Sequence, residues 1–164
     1  MPNAPIPNAS ILRSLSLAAA LAGTATPAAA SEEHHVWKER PHHLSFLAGV
    51  SDNDEGSATT FGVDYEYRYS EFLGLGAIAE QAFEEIDATT FLAVADLHIT
   101  NQFIVQTGPG VELLHEDDEE EFVFRLGVLY EWELGDYTVS PQFHCDWTEE
   151  DHTLIFGFAF GRSF

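Results

Sequence analysis

The chain has 164 residues, with 28 acidic side chains against 6 Lys and Arg and a formal net charge of -22. That charge excludes nucleic acid and other polyanions as partners, and a single cysteine, Cys145, excludes an internal disulfide. The length sets one domain as the starting expectation.

The first 30 residues read as a cleaved signal peptide. Arg13 is the only charge before Glu32, and the apolar run LSLAAALAG follows at 15–23. Ala28 and Ala30 then frame a cut before Ser31, the charged, apolar, small-residue order of secretion signals. The apolar run is short of the roughly 20 residues a spanning helix needs. The polar stretch MPNAPIPNA ahead of it is untypical. Residues 31–43, SEEHHVWKERPHH, form an irregular periplasmic lead-in. Paired histidines such as His34, His35, His42 and His43 are a possible Zn²⁺ or Cu²⁺ tract, but without cysteines or fixed spacing no metal ligand and no cofactor is assigned.

From residue 44 to 164 the pattern is period two, the strand signal. The first strand alternates Leu44, Phe46, Ala48 and Val50 on one face. The second sets Phe61, Val63, Tyr65, Tyr67 and Tyr69 against Asp64, Glu66 and Arg68. The third, 72–80, is rich in Gly and Ala, and its phase is ambiguous. The fourth sets Phe91, Ala93, Ala95 and Leu97 against Asp96 and His98. The fifth sets Phe103, Val105, Val111 and Leu113 against Gln106 and Glu112. In the sixth, Phe122, Phe124, Leu126, Val128, Tyr130, Trp132 and Leu134 share one face, and Arg125, Glu131 and Glu133 the other. The seventh sets Val139, Phe143, Cys145 and Trp147 against Gln142, His144 and Asp146. The eighth is TLIFGFAFGRSF. Pro109 and Pro141 count against their strands, because Pro removes a ladder donor.

Eight such strands with short connections predict an all-β fold, an eight-stranded antiparallel up-and-down transmembrane β-barrel. A soluble carrier would place the apolar set inside, yet a narrow eight-stranded interior has no room for so many aromatic rings. Facing lipid, their size does not matter. A two-residue hairpin at Gly135-Asp136 pairs Leu134 with Tyr137 and puts Arg125 opposite Asp146. Aligning the fifth and sixth strands across HEDDEEE allows Glu112 opposite Arg125. The predicted lumen cluster is therefore Glu112, Arg125 and Asp146, a buried cation with the partners it needs.

With the N-terminus periplasmic, the odd-numbered connections face outward and are acidic. They carry Asp52, Asp54 and Glu55; Glu84, Glu85 and Asp87; Glu116, Asp117 and Asp118 through Glu121; and Glu149, Glu150 and Asp151. The even connections SE, TNQ and GD are shorter. The outer loops could attract divalent cations, but no loop has the ligand spacing of a calcium loop, and a solvated acidic surface is the plainer reading. Ser140, His144 and Asp146 share the inward face, the nearest approach to a hydrolytic set; lumen hydrogen bonding is again the plainer reading, and no enzyme is expected.

These features resemble the small eight-stranded outer-membrane β-barrel family of the OmpA-transmembrane-domain and OmpX type. The resemblance covers about residues 43–164 and rests on the signal segment, the strand count, GVDYEYRYS, GPGVE, FRLGVLYEWELG and the terminal Phe164. It implies an outer-membrane location, lipids of that membrane as surroundings, and recognition by the barrel-assembly machinery. In the family the end of the chain carries the assembly signal, matched here by Phe160 and Phe164 with Phe156 and Phe158 before them; Arg162 departs, standing where an apolar residue is usual. The expected role is structural or at the surface, with a side-chain-filled lumen. A narrow cation-preferring channel and a soluble periplasmic carrier of a hydrophobic ligand are the alternatives.

Overall fold

The computed structural model describes residues 39–54, 56–84, 86–115, 119–149 and 151–164. The signal segment, His34, His35, Glu116, Asp117 and Asp118 lie outside them. Nine strands follow in chain order: β1 (His42–Asp52), β2 (Ser57–Arg68), β3 (Leu73–Ala82), β4 (Ala88–His98), β5 (Phe103–Leu114), β6 (Glu119–Tyr130), β7 (Trp132–Leu134), β8 (Tyr137–Trp147) and β9 (His152–Ser163). Each pairs antiparallel with its sequence neighbour, except that β6 pairs with β8 and not with β7. The β6–β8 ladder sets Arg125 opposite Asp146, and the β7–β8 ladder sets Leu134 opposite Tyr137 in the same register. β7 is thus the end of β6 after a break at Glu131, and the barrel has eight staves. β1 pairs with β9, Phe46 opposite Phe160, which closes the ring. β1 begins at His42.

Alternation decides what goes where. In β9, Phe156, Phe158 and Phe160 are 52–54% exposed, whereas Ile155 and Ala159 in the alternate positions are at most 4% exposed. The outer face also carries Phe46, Phe61, Phe91, Phe122, Phe124, Trp132 and Trp147. The inner face holds Arg125, Glu80, Asp96, Gln106, His98 and His144, together with the aliphatic Leu47, Ile78, Leu92, Val94, Ile104, Val123, Leu129 and Ile155. The lumen is therefore mixed rather than purely polar. Ile78, Leu92, Val94 and Val123 pack together, and Ala58, Ala82, Ile86 and Ala88 form a second apolar layer. This is the inverse of a carrier for a hydrophobic ligand, whose large apolar side chains would line the interior. That alternative is corrected by the direction in which the aromatic rings point.

The two prolines are accommodated in the ladders. Pro109 lies opposite Phe124, and Pro141 opposite Phe158. The turn at Gly135-Asp136 has φ of +72° at Gly135, the positive first central position of a II′ hairpin, which matches the twist of the strands it joins. The expected difference in loop length is weak. The acidic end has connections 53–56, 83–87, 115–118 and 148–151; the other end has 69–72, 99–102 and 135–136. Strands run further into the acidic segments than the pattern implied, because backbone pairing continues through Glu119 and Glu120.

Candidate functional site: the barrel lumen

At mid-lumen, Arg125 projects inward from β6 and is 0% exposed. Its Nε donates to Asp146 Oδ1 at 2.7 Å and its Nη2 to Asp146 Oδ2 at 2.6 Å. Nη1 and Nη2 donate to Glu80 Oε1 and Oε2 at 2.7 and 2.6 Å. Both carboxylates are engaged in bidentate fashion, the strongest arrangement open to a guanidinium. Asp146 comes from the neighbouring β8, while Glu80 reaches across the bore from β3. Room for Glu80 comes from Gly62, its partner on β2; a Cβ there would lie 2.6 Å from Glu80 Cγ.

Glu112 is not part of this cluster, contrary to the expected register. Gly108 lies opposite Arg125, and Glu112 lies opposite Glu121. Glu112 instead accepts from Thr90 Oγ1 at 2.8 Å. The hairpin turns four residues tighter than expected. A slip of an even number keeps every side chain on its face, so the alternation could not reveal it.

Nearer the other end lies a second polar group. Gln106 Nε2 donates to Asp96 Oδ1 at 2.9 Å and to Asp64 Oδ2 at 3.1 Å. His98 Nε2 donates to Glu66 Oε1 at 2.7 Å. His43 Nε2 shares a hydrogen bond with Thr138 Oγ1 at 2.9 Å and lies 4.0 Å from Glu131.

His42 and His43 do not form a metal tract. They occupy successive strand positions and point to opposite faces. His42 bonds the Tyr65 hydroxyl at 2.7 Å and stacks on Phe164, while His43 turns inward. Ser140, His144 and Asp146 do not form a relay. His144 Nε2 donates to Gln142 Oε1 at 3.0 Å, and Gln142 Nε2 donates to Ser140 Oγ at 3.1 Å. The amide thus separates the hydroxyl from the imidazole, and Asp146 is held by Arg125. Cys145 lies on the outer face between Leu126 and Leu154.

At the acidic rim, Asp52, Asp54 and Glu149 are exposed. Asp52 accepts from the Ser57 hydroxyl at 2.6 Å, and the Asp54 amide donates to Asp151 Oδ2 at 3.3 Å, linking the first loop to the last. Among the described residues no group of Asp, Glu, His or Cys converges to hold a metal ion. At the opposite rim, Phe164 exchanges backbone hydrogen bonds with His42 at 2.9 and 3.2 Å. Phe160 stacks on Tyr137, and the Arg162 guanidinium lies 5.6 Å from the centre of the same ring. Arg40 pairs with Asp136 there. The Asp136 carboxyl is held below its ordinary range by the hydrogen bond from Arg40 and then by its charge, and Arg40 is pushed up in return.

The fold has known counterparts. It is similar to the crystal structure of Neisserial surface protein A, with a TM-score of 0.55 at 9% identity, covering 76% of this chain and 97% of the other. It is similar to the N-terminal β-barrel domain of Pseudomonas aeruginosa OprF, with a TM-score of 0.56 at 10% identity over 74% and 97%. It is also similar to a de novo designed transmembrane β-barrel, with a TM-score of 0.51 at 14% identity over 74% and 97%. The chain therefore shares the architecture of small eight-stranded outer-membrane barrels. No protein-family model matches the sequence, and no curated protein matches it.

Proposed function

We propose that the protein is an integral outer-membrane barrel with a structural or surface role, closed to solutes. The observation that carries this reading is the pairing of an exposed aromatic belt with a lumen filled across its width by Arg125, Glu80 and Asp146. Exposed rings on seven of the eight staves, with Leu75 on β3, have no aqueous use; in a bilayer they become the lipid-facing band and its interfacial girdles. Lipids of the outer membrane are then its permanent neighbours. The chain reaches that membrane through the signal at 1–30, and Phe160 and Phe164 are read by the barrel-assembly machinery. The acidic rim carries a diffuse cloud of mono- and divalent counter-ions rather than a bound metal. No catalytic role is assigned, since among the described residues Ser140, His144 and Asp146 do not connect as nucleophile, base and orienting acid.

The closed lumen is tested by planar bilayer recording of the purified protein. Silence under applied voltage supports a plugged barrel. Discrete cation-selective steps would replace it with the narrow-channel reading.

A further inference from the structure

Below the Arg125 bridge, a cavity of about 10 Å³ is lined by Asp64, Glu66, Asp96, Gln106, Glu131 and Ser140, among others. That is room for about one water-sized particle. Two oxygens of this group have no hydrogen-bond partner: Asp64 Oδ1 and Gln106 Oε1. Gln106 is 1% exposed, and its amide nitrogen is already committed to Asp64 and Asp96, so the free carbonyl oxygen is fixed by the geometry of its own donors. Glu66 has His98 as a partner, and Glu131 has His43 at 4.0 Å. Neither Asp64 nor Asp96 is ion-paired with any described basic residue. Buried carboxylates without an ion-pair partner are costly, and a proton or a positive charge of atomic size relieves that cost.

We propose that this chamber binds one hard monovalent cation of the sodium class, held by Asp64 Oδ1, Gln106 Oε1 and the neighbouring carboxylate and hydroxyl oxygens. The unpartnered atoms are oxygens, and carboxylate and amide oxygens select a hard ion over a soft one. A divalent cage is disfavoured, because no three acidic or imidazole groups among the described residues converge on a metal position. Amide and hydroxyl oxygens complete a shell of low charge, which suits a single positive charge. The site lies inside a closed barrel, so occupation stabilises the fold by mass action on the folded state.

The test is thermal unfolding of the detergent-folded protein in NaCl and in choline chloride at equal ionic strength, with folding read by heat-modifiable gel migration. Screening is matched, so a difference reports binding. The expected result is a saturable sodium-specific rise in the transition, on the order of 5 °C. Asp64→Asn and Asp96→Asn should each abolish that rise, and Glu112→Gln, outside the chamber, should keep it. Equal transitions of the wild type in the two salts would make the occupant water and overturn the proposal, whether or not the variants fold. Persistence of the rise in Asp64→Asn would overturn it as well. Either failure leaves the closed-barrel reading standing, since that reading is tested by conductance.

Discussion

Replacing Arg125 with Met isolates the bridge that spans the lumen. The side chain keeps an unbranched apolar stem and loses the guanidinium with its charge. Glu80 and Asp146, with side chains 5% and 2% exposed, are left facing each other with no cation and four hydrogen bonds gone. Breaking a buried pair from one side costs about 3–5 kcal/mol, because the remaining charge has nowhere to go. Glu80→Gln is a milder change. It leaves Arg125 and Asp146 as a balanced pair and loses one set of charged hydrogen bonds, about 1–3 kcal/mol. Neutralising all three together, as Glu80→Gln/Arg125→Met/Asp146→Asn, removes the stranded charge and should recover much of the loss. The assay is urea unfolding in lipid vesicles followed by tryptophan fluorescence, with Trp132 and Trp147 on the outer face as reporters. If Arg125→Met unfolds within about 0.5 kcal/mol of the wild type, a range normal for surface changes, the bridge does not hold the lumen and the reasoning fails.

The other predictions address the local packing and the rim. Gly127 lies opposite His144, and a Cβ there would stand 2.1 Å from His144 Nδ1; Gly127→Ala should lose about 1–3 kcal/mol by overpacking, with His144→Ser restoring part of it in the same urea assay. Asp136 has a folded value below its ordinary 3.8, so its contact with Arg40 is complete above that value and is lost as pH falls through the lowered one. NMR of the Arg40 side chain should show release only in strong acid, and Asp136→Asn should remove the acid response; a release near neutrality would contradict this. Removing Phe164 deletes the two backbone bonds to His42 and should impair insertion more than Arg162→Tyr, as read by the fraction of heat-modifiable protein in cells. Equal insertion of both variants would count against the assembly role.

Much of the fold was legible because period two is a strong signal when one face is aromatic. The stave formed by β6 and β7 shows this best, with seven outward apolar residues at alternate positions from Phe122 to Leu134. The Gly135-Asp136 hairpin fixed one register and thereby Arg125 opposite Asp146. Two parts of the lumen were not legible. Glu80 was missed because β3 carries Gly74, Gly76, Ala77 and Ala79, whose small side chains give no contrast between faces. Its contact with Arg125 also crosses the bore between strands that are not neighbours, which no pairwise register encodes. Glu112 was misplaced because the acidic segment after β5 gives no mark of where pairing stops. The inward aliphatic layer of Ile78, Leu92, Val94 and Val123 is likewise hidden, since these residues share the inward phase with polar side chains such as Glu80, Asp96 and Arg125.

The central claim is that the aromatic belt faces lipid. Gel migration of unboiled and boiled protein from separated cell fractions tests it directly. The account predicts recovery with the outer membrane, as a band that migrates fast when unboiled and shifts on heating as the barrel opens. Recovery in the soluble periplasmic fraction with no heat-dependent shift would contradict it.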